Sequence, residues 1–316
     1  MPFQRWCQAN GAGTLSLVSS SPAATYALRS TNGNLSISAG SQLCRWQGLE
    51  LHLGFAPQVI QGQFCVNSID LRKTIQPLVQ ATPELVLPRG AVIVIDPGHG
   101  GDNPGTTSVL GSHHEKEFTL DWARRLQQLL TTNGWQVFLT RSNDTDLALS
   151  NRVAFTARHK ADLFLSLHFN SVAPNETECG LETYCLTPAG MPSNLTRGFA
   201  DETGVAFPNN HFDPQNLQLA FHVHRALLEV NGHQDRGVRR ARFPGVLRGQ
   251  QCPAILVEGG YLSNPREARR ISEPGYRQQL AEAVARGIEQ SEGGRPKAEP
   301  ANQAQSASAR EPGGGN

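Results

Sequence analysis

The stretch AVIVIDPGHGG, residues 91–101, is an unbroken aliphatic run that stops at Asp96-Pro97-Gly98-His99-Gly100-Gly101. A run without polar alternation reads as a strand buried on both faces, the kind found in parallel sheets covered by helices. It delivers one histidine among glycines to the strand's carboxyl end. Gly98, Gly100 and Gly101 let the backbone turn sharply and keep the approach to His99 open. A phosphate-cradling loop is the competing reading of GHGGDNPG, but the stretch lacks both the GK[ST] ending and the GxGxxG spacing.

From residue 91 onward strands and helices alternate. EKEFTLDWARRLQQLLTTNG (115–134) is a helix with Phe118, Trp122, Leu126, Leu129 and Leu130 on one face and Gly134 as its stop. WQVFLTR, NRVAFTARHK and ADLFLSLHFNS follow, then a helical NLQLAFHVHRALLEV, the strand PAILVEGG and a closing YRQQLAEAVARGIEQ. This alternation predicts an α/β domain over 91–290, with a mostly parallel sheet and helices on both faces. Residues 1–80 lack helical periodicity and read as a small β-rich module of short strands: TLSLVSS, TYALRS, LSISAG, LELHLG and FCVNSIDLR. ATPELVLPRG (81–90) reads as a linker, and the polar, Pro/Gly/Ala/Ser-rich stretch 291–316 as a disordered tail.

The 316 residues suffice for one full-sized domain plus something smaller. With 28 basic and 27 acidic residues, the net charge of +1 gives no electrostatic footprint for nucleic acid or an anionic membrane surface. No run approaches the eighteen or so apolar residues of a spanning helix. The opening MPFQRWCQANGAGTLSLVSS lacks the long apolar core of a signal peptide, so export is not visible in the sequence. The six cysteines form no CxxC pair. Cys179 and Cys185 flank GLETY and read equally as a small loop disulfide or as two half-buried thiols.

Three strands end alike: VIVID runs into His99, LFLSL into His168 and AILV into Glu258. The carboxyl ends of parallel strands are where open α/β sheets bind ligands, so the three titratable groups converge. Two imidazoles at one strand edge call for a metal, with a carboxylate or a further histidine as third protein ligand. HHEKE (113–117) is the nearest supply. Glu115 sits in the first helical turn and can face the sheet edge, while His113, His114 and Glu117 remain alternatives on local grounds. Zinc held by two histidines and a glutamate lowers the pKa of bound water from about 15.7 to roughly 7. A carboxylate that does not bind the metal must then take the water proton and return it to the leaving amine. Glu258 has that placement, and Gly259-Gly260 leave room for substrate. Taken singly, a strand-end histidine is an ordinary hydrogen-bonded residue and Glu258 a paired or solvated carboxylate. Joint occurrence at three strand ends carries the argument.

Over about 91–290 the chain closely resembles the zinc-dependent N-acetylmuramoyl-L-alanine amidases of bacterial cell walls. The matching motifs stand in order: VIVIDPGHGG, GSHHEKEFTL, VFLTR, NRVAFTA, ADLFLSLHFNS, GLETYCL, RGVRRARFPGVLR and PAILVEGGYLSNPREARRI. The resemblance implies hydrolysis of the amide between the lactyl group of N-acetylmuramic acid and the L-alanine of the stem peptide. It also implies Zn2+ as cofactor, peptidoglycan as partner and a place in the cell envelope, periplasmic or extracellular. By position it implies His99, Glu115 and His168 as zinc ligands, because the family's Glu-Lys pair falls on Glu115-Lys116, and Glu258 as the catalytic glutamate. Asn170 and Glu182 match recurring positions around the site. Gly259 and Tyr261 depart from the family's usual residues, which is expected to alter pocket walls rather than chemistry. Some relatives carry, within the region corresponding to 187–235, an inhibitory helix over the zinc that an activator protein displaces. Here the one clear helix, NLQLAFHVHRALL, resembles an ordinary family helix. The N-terminal module resembles the small β domains attached to such amidases, including the copper-amine-oxidase N-terminal-like type. That implies wall binding or substrate presentation, or simple packing against the catalytic domain.

Two rival functions are a zinc peptidase acting on another peptidoglycan amide and a non-catalytic peptidoglycan-binding or activator protein that kept the fold. The second predicts a damaged metal set or a lost base, and all four residues stand. His222 and His224, two apart on a helix, face different directions and read as structural. The basic RGVRRARFPGVLR reads as a solvated edge or a surface meeting an acidic stem peptide. Ser263-Asn264-Pro265 reads as a helix-entry turn.

Overall fold

The aliphatic run before His99 forms β8 (Val92–Pro97). Ile93 and Ile95 enter one core and Val94 the other, so alternate residues of a single strand serve both faces of the sheet. In this computed structural model residues 1–291 are described, apart from 82–84, 89, 199, 231, 233 and 244. The tail reading falls, beyond Ser291, outside the described residues, and the linker reading falls partly outside them.

β8 pairs in parallel with β9 (Gln136–Leu139) and β10 (Leu163–Asn170), and β10 with β13 (Ala254–Tyr261). β13 runs antiparallel to β11 (Leu181–Leu186), which is parallel to β12 (Asp235–Ala241). Helices α4 (Glu115–Thr132), α6 (Asp213–Leu228) and α9 (Pro274–Ser291) cover one face through Trp122, Leu126, Leu217 and Leu280. On the other face, α7 (Gly245–Arg248) contributes Val246 and Leu247, and α5 (Leu149–Arg158) contributes Phe155. The predicted α/β layering, mostly parallel with helices on both faces, is therefore present over the C-terminal two-thirds.

Five N-terminal strands extend this sheet: β1 (Thr14–Ser19), β2 (Thr25–Ser30), β3 (Gly33–Ser38), β4 (Leu43–Trp46) and β5 (Leu49–His52). They form an antiparallel meander, and β5 lies parallel to β12 through Leu51 and Val238. The result is one 11-stranded sheet ordered β1-β2-β3-β4-β5-β12-β11-β13-β10-β8-β9, with a separate hairpin of β6 (Gln58–Ile60) and β7 (Gln63–Cys65). Leu28, Ile37 and Trp46 share a continuous hydrophobic core with α6 and α9. Asp235 accepts a hydrogen bond from the Glu50 amide at 2.8 Å, and Lys73 pairs with Asp213 at 3.0 Å.

Two N-terminal stretches are helical where the sequence reads as strand or shows no period. α1 (Phe3–Asn10) buries Phe3, Trp6 and Cys7 on one face and ends at Gly11 in the left-handed conformation. At eight residues it gives barely two turns of pattern. FCVNSIDLR is strand only to Cys65. Asn67 then caps the Ile69 amide and starts a helical run made of α2 (Ser68–Asp70), a π-type turn (Leu71–Ile75) and α3 (Gln76–Val79). Leu71, Ile75, Leu78 and Val79 form its buried face, while SIDLR mimics the strand alternation that precedes it.

The basic run is not a solvated edge. Its first part, residues 236–241, lies in β12 between β5 and β11, its end forms α7, and Arg240 in the strand and Arg242 just past it are buried. Arg240 donates to the Lys73 carbonyl at 2.6 Å, and Arg242 donates to the Pro188 and Met191 carbonyls at 2.8 Å and pairs with Asp201, which offsets part of the cost of burial; Arg240 Nε and Nη1 and Arg242 Nε have no partner among the described residues. Cys179 and Cys185 do not form a disulfide. The strand β11 occupies most of the interval and holds its residues extended, so the ends are carried apart. Cys185 is fully buried, not half-buried.

Candidate active site

The loop after β8 holds His99 with φ 62°, a left-handed conformation uncommon for a residue with a side chain. A buried polar clamp secures it. Arg152 of α5 donates to the His99 carbonyl at 2.8 Å, to the Pro97 carbonyl at 2.9 Å and to Asp96 at 2.7 Å. Arg141, just past β9, donates to the Gly98 carbonyl at 2.8 Å and the Pro97 carbonyl at 3.0 Å. Asp96 is itself buried and also accepts from Ser166 and Thr140. Sequence reading missed this role for Arg141 and Arg152, although both stand in the VFLTR and NRVAFTA motifs. Asp96 at the end of an aliphatic strand was the available signal, since a buried carboxylate needs partners.

Glu115 is the first residue of α4. Its Oε2 lies 3.1 Å from His99 Nε2, and its Oε1 lies 3.0 Å from His168 Nδ1. The three ligand atoms fall within 4.8 Å of one another, so this cluster could hold a metal ion. The backbone amides of Thr106 and Phe169 also donate to Glu115. Burial works against its charge, but hydrogen bonds and charge from the two histidines hold the carboxyl well below the ordinary range. His99 Nδ1 lies 2.9 Å from Asn103 Oδ1, and a proton donated there leaves the Nε2 lone pair facing the cluster. The setting also needs small neighbours. A Cβ on Gly105 would stand 2.7 Å from Glu115 Oε2 and His99 Cδ2, and one on Gly98 would collide with the His168 ring. Of the other candidates in HHEKE, His113 and Glu117 pair with each other at the surface and His114 contacts Thr107.

Glu258 on β13 lies directly beside His168 on β10 and opposite Glu182 on β11. Its Oε2 is buried and has no hydrogen-bond partner among the described residues. Burial pushes its carboxyl well above the ordinary range against the pull of Arg197, with Glu115 and Glu182 adding to the rise. Glu182 is buried too, but Tyr184 and Arg236 donate to it and hold it below its usual range, with Tyr261 at 3.1 Å and Asn170 at 3.2 Å also donating. Tyr261 thus adds a hydroxyl to the Glu182 network and is not a pocket wall. Nor does Gly259 leave room for substrate. A Cβ there would meet Trp122 and Phe169 at 2.8 Å, because alternation along β13 turns Gly259 to the α4 side when Glu258 faces the other.

The remaining candidates lie elsewhere. His224 is buried between Thr183 at 3.1 Å and Asp235 at 2.9 Å, tying α6 to β11 and β12. Burial drops the His222 pKa to about 4, and it joins no ligand cluster. Asn264 caps α8 (Pro265–Ser272) through the amides of Arg266 and Glu267, as the helix-entry reading predicts. Arg197, from the loop between β11 and α6, reaches within 3.8 Å of Glu258. A lone arginine in a polar loop gave the sequence no signal for it.

Two imidazoles with a carboxylate between them, and a second buried carboxylate beside them at one sheet edge, make a set of donors fit for a metal next to an ionisable group. The chain belongs to the N-acetylmuramoyl-L-alanine amidase family (Amidase_3), which it matches over residues 93–290. It is 31% identical over 218 residues to the N-acetylmuramoyl-L-alanine amidase AmiA of Escherichia coli K12, covering 62% of this chain and 74% of that one. To AmiC of Neisseria meningitidis serogroup B it is 33% identical over 221 residues, covering 64% of this chain and about half, 52%, of the relative. The solved catalytic domain of CwlV from Bacillus (Paenibacillus) polymyxa var. colistinus aligns with a TM-score of 0.53 at 30% identity, covering 63% of this chain and 97% of the domain. The enzyme is accordingly a peptidoglycan hydrolase that cleaves the amide between N-acetylmuramic acid and L-alanine. The family match begins inside β8, so β1–β5 lie outside it.

Proposed function

We propose that His99, Glu115 and His168 bind a zinc ion and that Glu258 moves the proton in this hydrolysis. The observation that carries the reading is the set of one carboxylate and two imidazole donors within 4.8 Å, with the unpartnered Glu258 Oε2 beside them. The donor set suits zinc, and Gly98 and Gly105 keep the surrounding space clear. Bound there, zinc would supply Lewis acidity toward water and the amide carbonyl. Glu258 accepts the proton of the attacking water at Oε2 and returns it to the alanine nitrogen as the C–N bond breaks. Its elevated pKa suits a group that must hold the proton between the two transfers. The Asp96, Arg141 and Arg152 clamp keeps His99 aimed, and Asn170 and Glu182 orient the wall beside Glu258.

α6 packs on the sheet and α9, not across the ligand cluster. The substrate places the enzyme's work in the cell envelope, periplasmic or extracellular. Residues 1–80 act as a built-in extension of the catalytic sheet, a reading supported by the β5–β12 pairing and the common core. Digestion of purified peptidoglycan tests the function. Release of intact stem peptides with N-terminal L-alanine and uncut glycan is expected. Shorter peptide fragments would instead make it a peptidase, and no release would leave a binding protein.

A further inference from the structure

We propose that Arg197 is a specificity-determining residue, whose guanidinium takes a carboxylate of the stem peptide one or two residues beyond the scissile amide. The inference rests on the reading of His99, Glu115, His168 and Glu258 as the hydrolytic centre.

The loop that carries Arg197 is tied down on both sides. Asn194 bonds the Arg240 amide and the Leu53 carbonyl at 2.9 Å, and Asp201 binds Arg242 at 2.6 Å and the Ser193 amide at 2.7 Å. Between these anchors Arg197 adopts φ 48°, left-handed for a residue with a side chain. Its guanidinium lies over the rings of Phe243 at 4.7 Å and Tyr184 at 5.8 Å. Nη2 donates to Asn170 Oδ1 at 3.0 Å. Ring contacts fix the plane of the group, and its side chain is 39% exposed, so part of the N–H fork is open to solvent and to an incoming anion.

The other cations around the site are already committed. Lys116 binds Asp144 and the Gly101 carbonyl, and Arg141 and Arg152 form the clamp. Arg236 binds Glu178 and Glu182, and Arg240 in β12 and Arg242 just past it are buried. Arg197 is held more loosely: it faces Glu258 Oε1 at 3.8 Å, beyond hydrogen-bond distance, donates to Asn170, and is more exposed than Lys116 or Arg236. Arg240 and Arg242 of the basic motif that the sequence offered to an acidic stem peptide are thus buried, and Arg197 stands at the site. Reach agrees. A peptide advances about 3.4 Å per extended residue, so an amide held beside Glu258 brings the next carboxylate to the guanidinium.

The test uses the full-length enzyme and synthetic muramoyl peptides bearing either a free carboxylate or a carboxamide on the residue after L-alanine. Wild type is expected to favour the carboxylate about tenfold in kcat/KM, through KM. Arg197→Gln should erase that preference and Arg197→Lys should keep part of it. If Arg197→Gln lowers kcat on both substrates and leaves the preference intact, Arg197 acts through Glu258 and the proposal is wrong. A wild type without preference overturns the proposal while the amidase reading stands. A wild type that cleaves neither substrate removes that reading and this one together.

Discussion

Replacing Glu258 by glutamine removes the proposed proton acceptor while keeping its heavy-atom shape. The carboxyl is buried, one oxygen lacks a partner, and its pKa in the fold lies above the ordinary value. A group raised in this way stabilises the fold only at low pH, and that contribution is lost as pH rises through its folded pKa. At neutral pH its ionisation therefore works against folding, and Glu258→Gln is expected to melt at the same temperature as wild type or higher. Turnover should fall by about 10²–10⁴, the usual contribution of a positioned acid–base group, or about 3–5 kcal/mol in the barrier. Because Glu258 is outside the ligand cluster, zinc should stay at wild-type stoichiometry. Stem-peptide release measured by chromatography, with metal content by mass spectrometry, gives both numbers. Retention of more than about a tenth of the activity, or loss of zinc with it, would refute the assignment of the base.

Other perturbations separate the remaining parts. His168→Ala should lose both zinc and turnover; in wild type, chelation should remove about 4 kcal/mol of stability if zinc is present at a thousandfold over Kd. The same chelation should leave the His168→Ala melting curve unmoved, and an equal shift in both proteins would place the metal elsewhere. Asp96→Ala strands the buried Arg152 and should cost about 3–5 kcal/mol in urea unfolding, with weaker zinc binding in the protein that still folds. Deleting residues 1–80 should yield insoluble or strongly destabilised protein, because it exposes the edge of β12 and uncovers core packing of α6. Full activity and an unchanged melting temperature in that truncation would show the N-terminal strands to be dispensable.

The sequence by itself determined the parts whose physics is local. Aliphatic strands buried on both faces announce themselves by the absence of polar alternation, so β8, β10 and β13 were legible, and with them the strand ends that carry His99, His168 and Glu258. The first turn of α4 was legible as well, which narrowed the third ligand to HHEKE. Local reading left Glu115, His113, His114 and Glu117 open and only the family resemblance pointed to Glu115; the tertiary structure sets its carboxylate between the two imidazoles, since residues in one turn point in different directions. It also drew the first half of the basic run into an interior strand, where distant carbonyls and Asp201 take part of the hydrogen-bonding capacity of Arg240 and Arg242. Arg141, Arg152 and Arg197 reach the site from segments 40 to 100 residues from His99, through bonds with no sequence period. The N-terminal strands read as a module because each alternates on its own. Their union with the catalytic sheet runs through the Leu51–Val238 pairing, the Glu50–Asp235 bond and a shared core, and contacts between such distant segments leave no trace in either one.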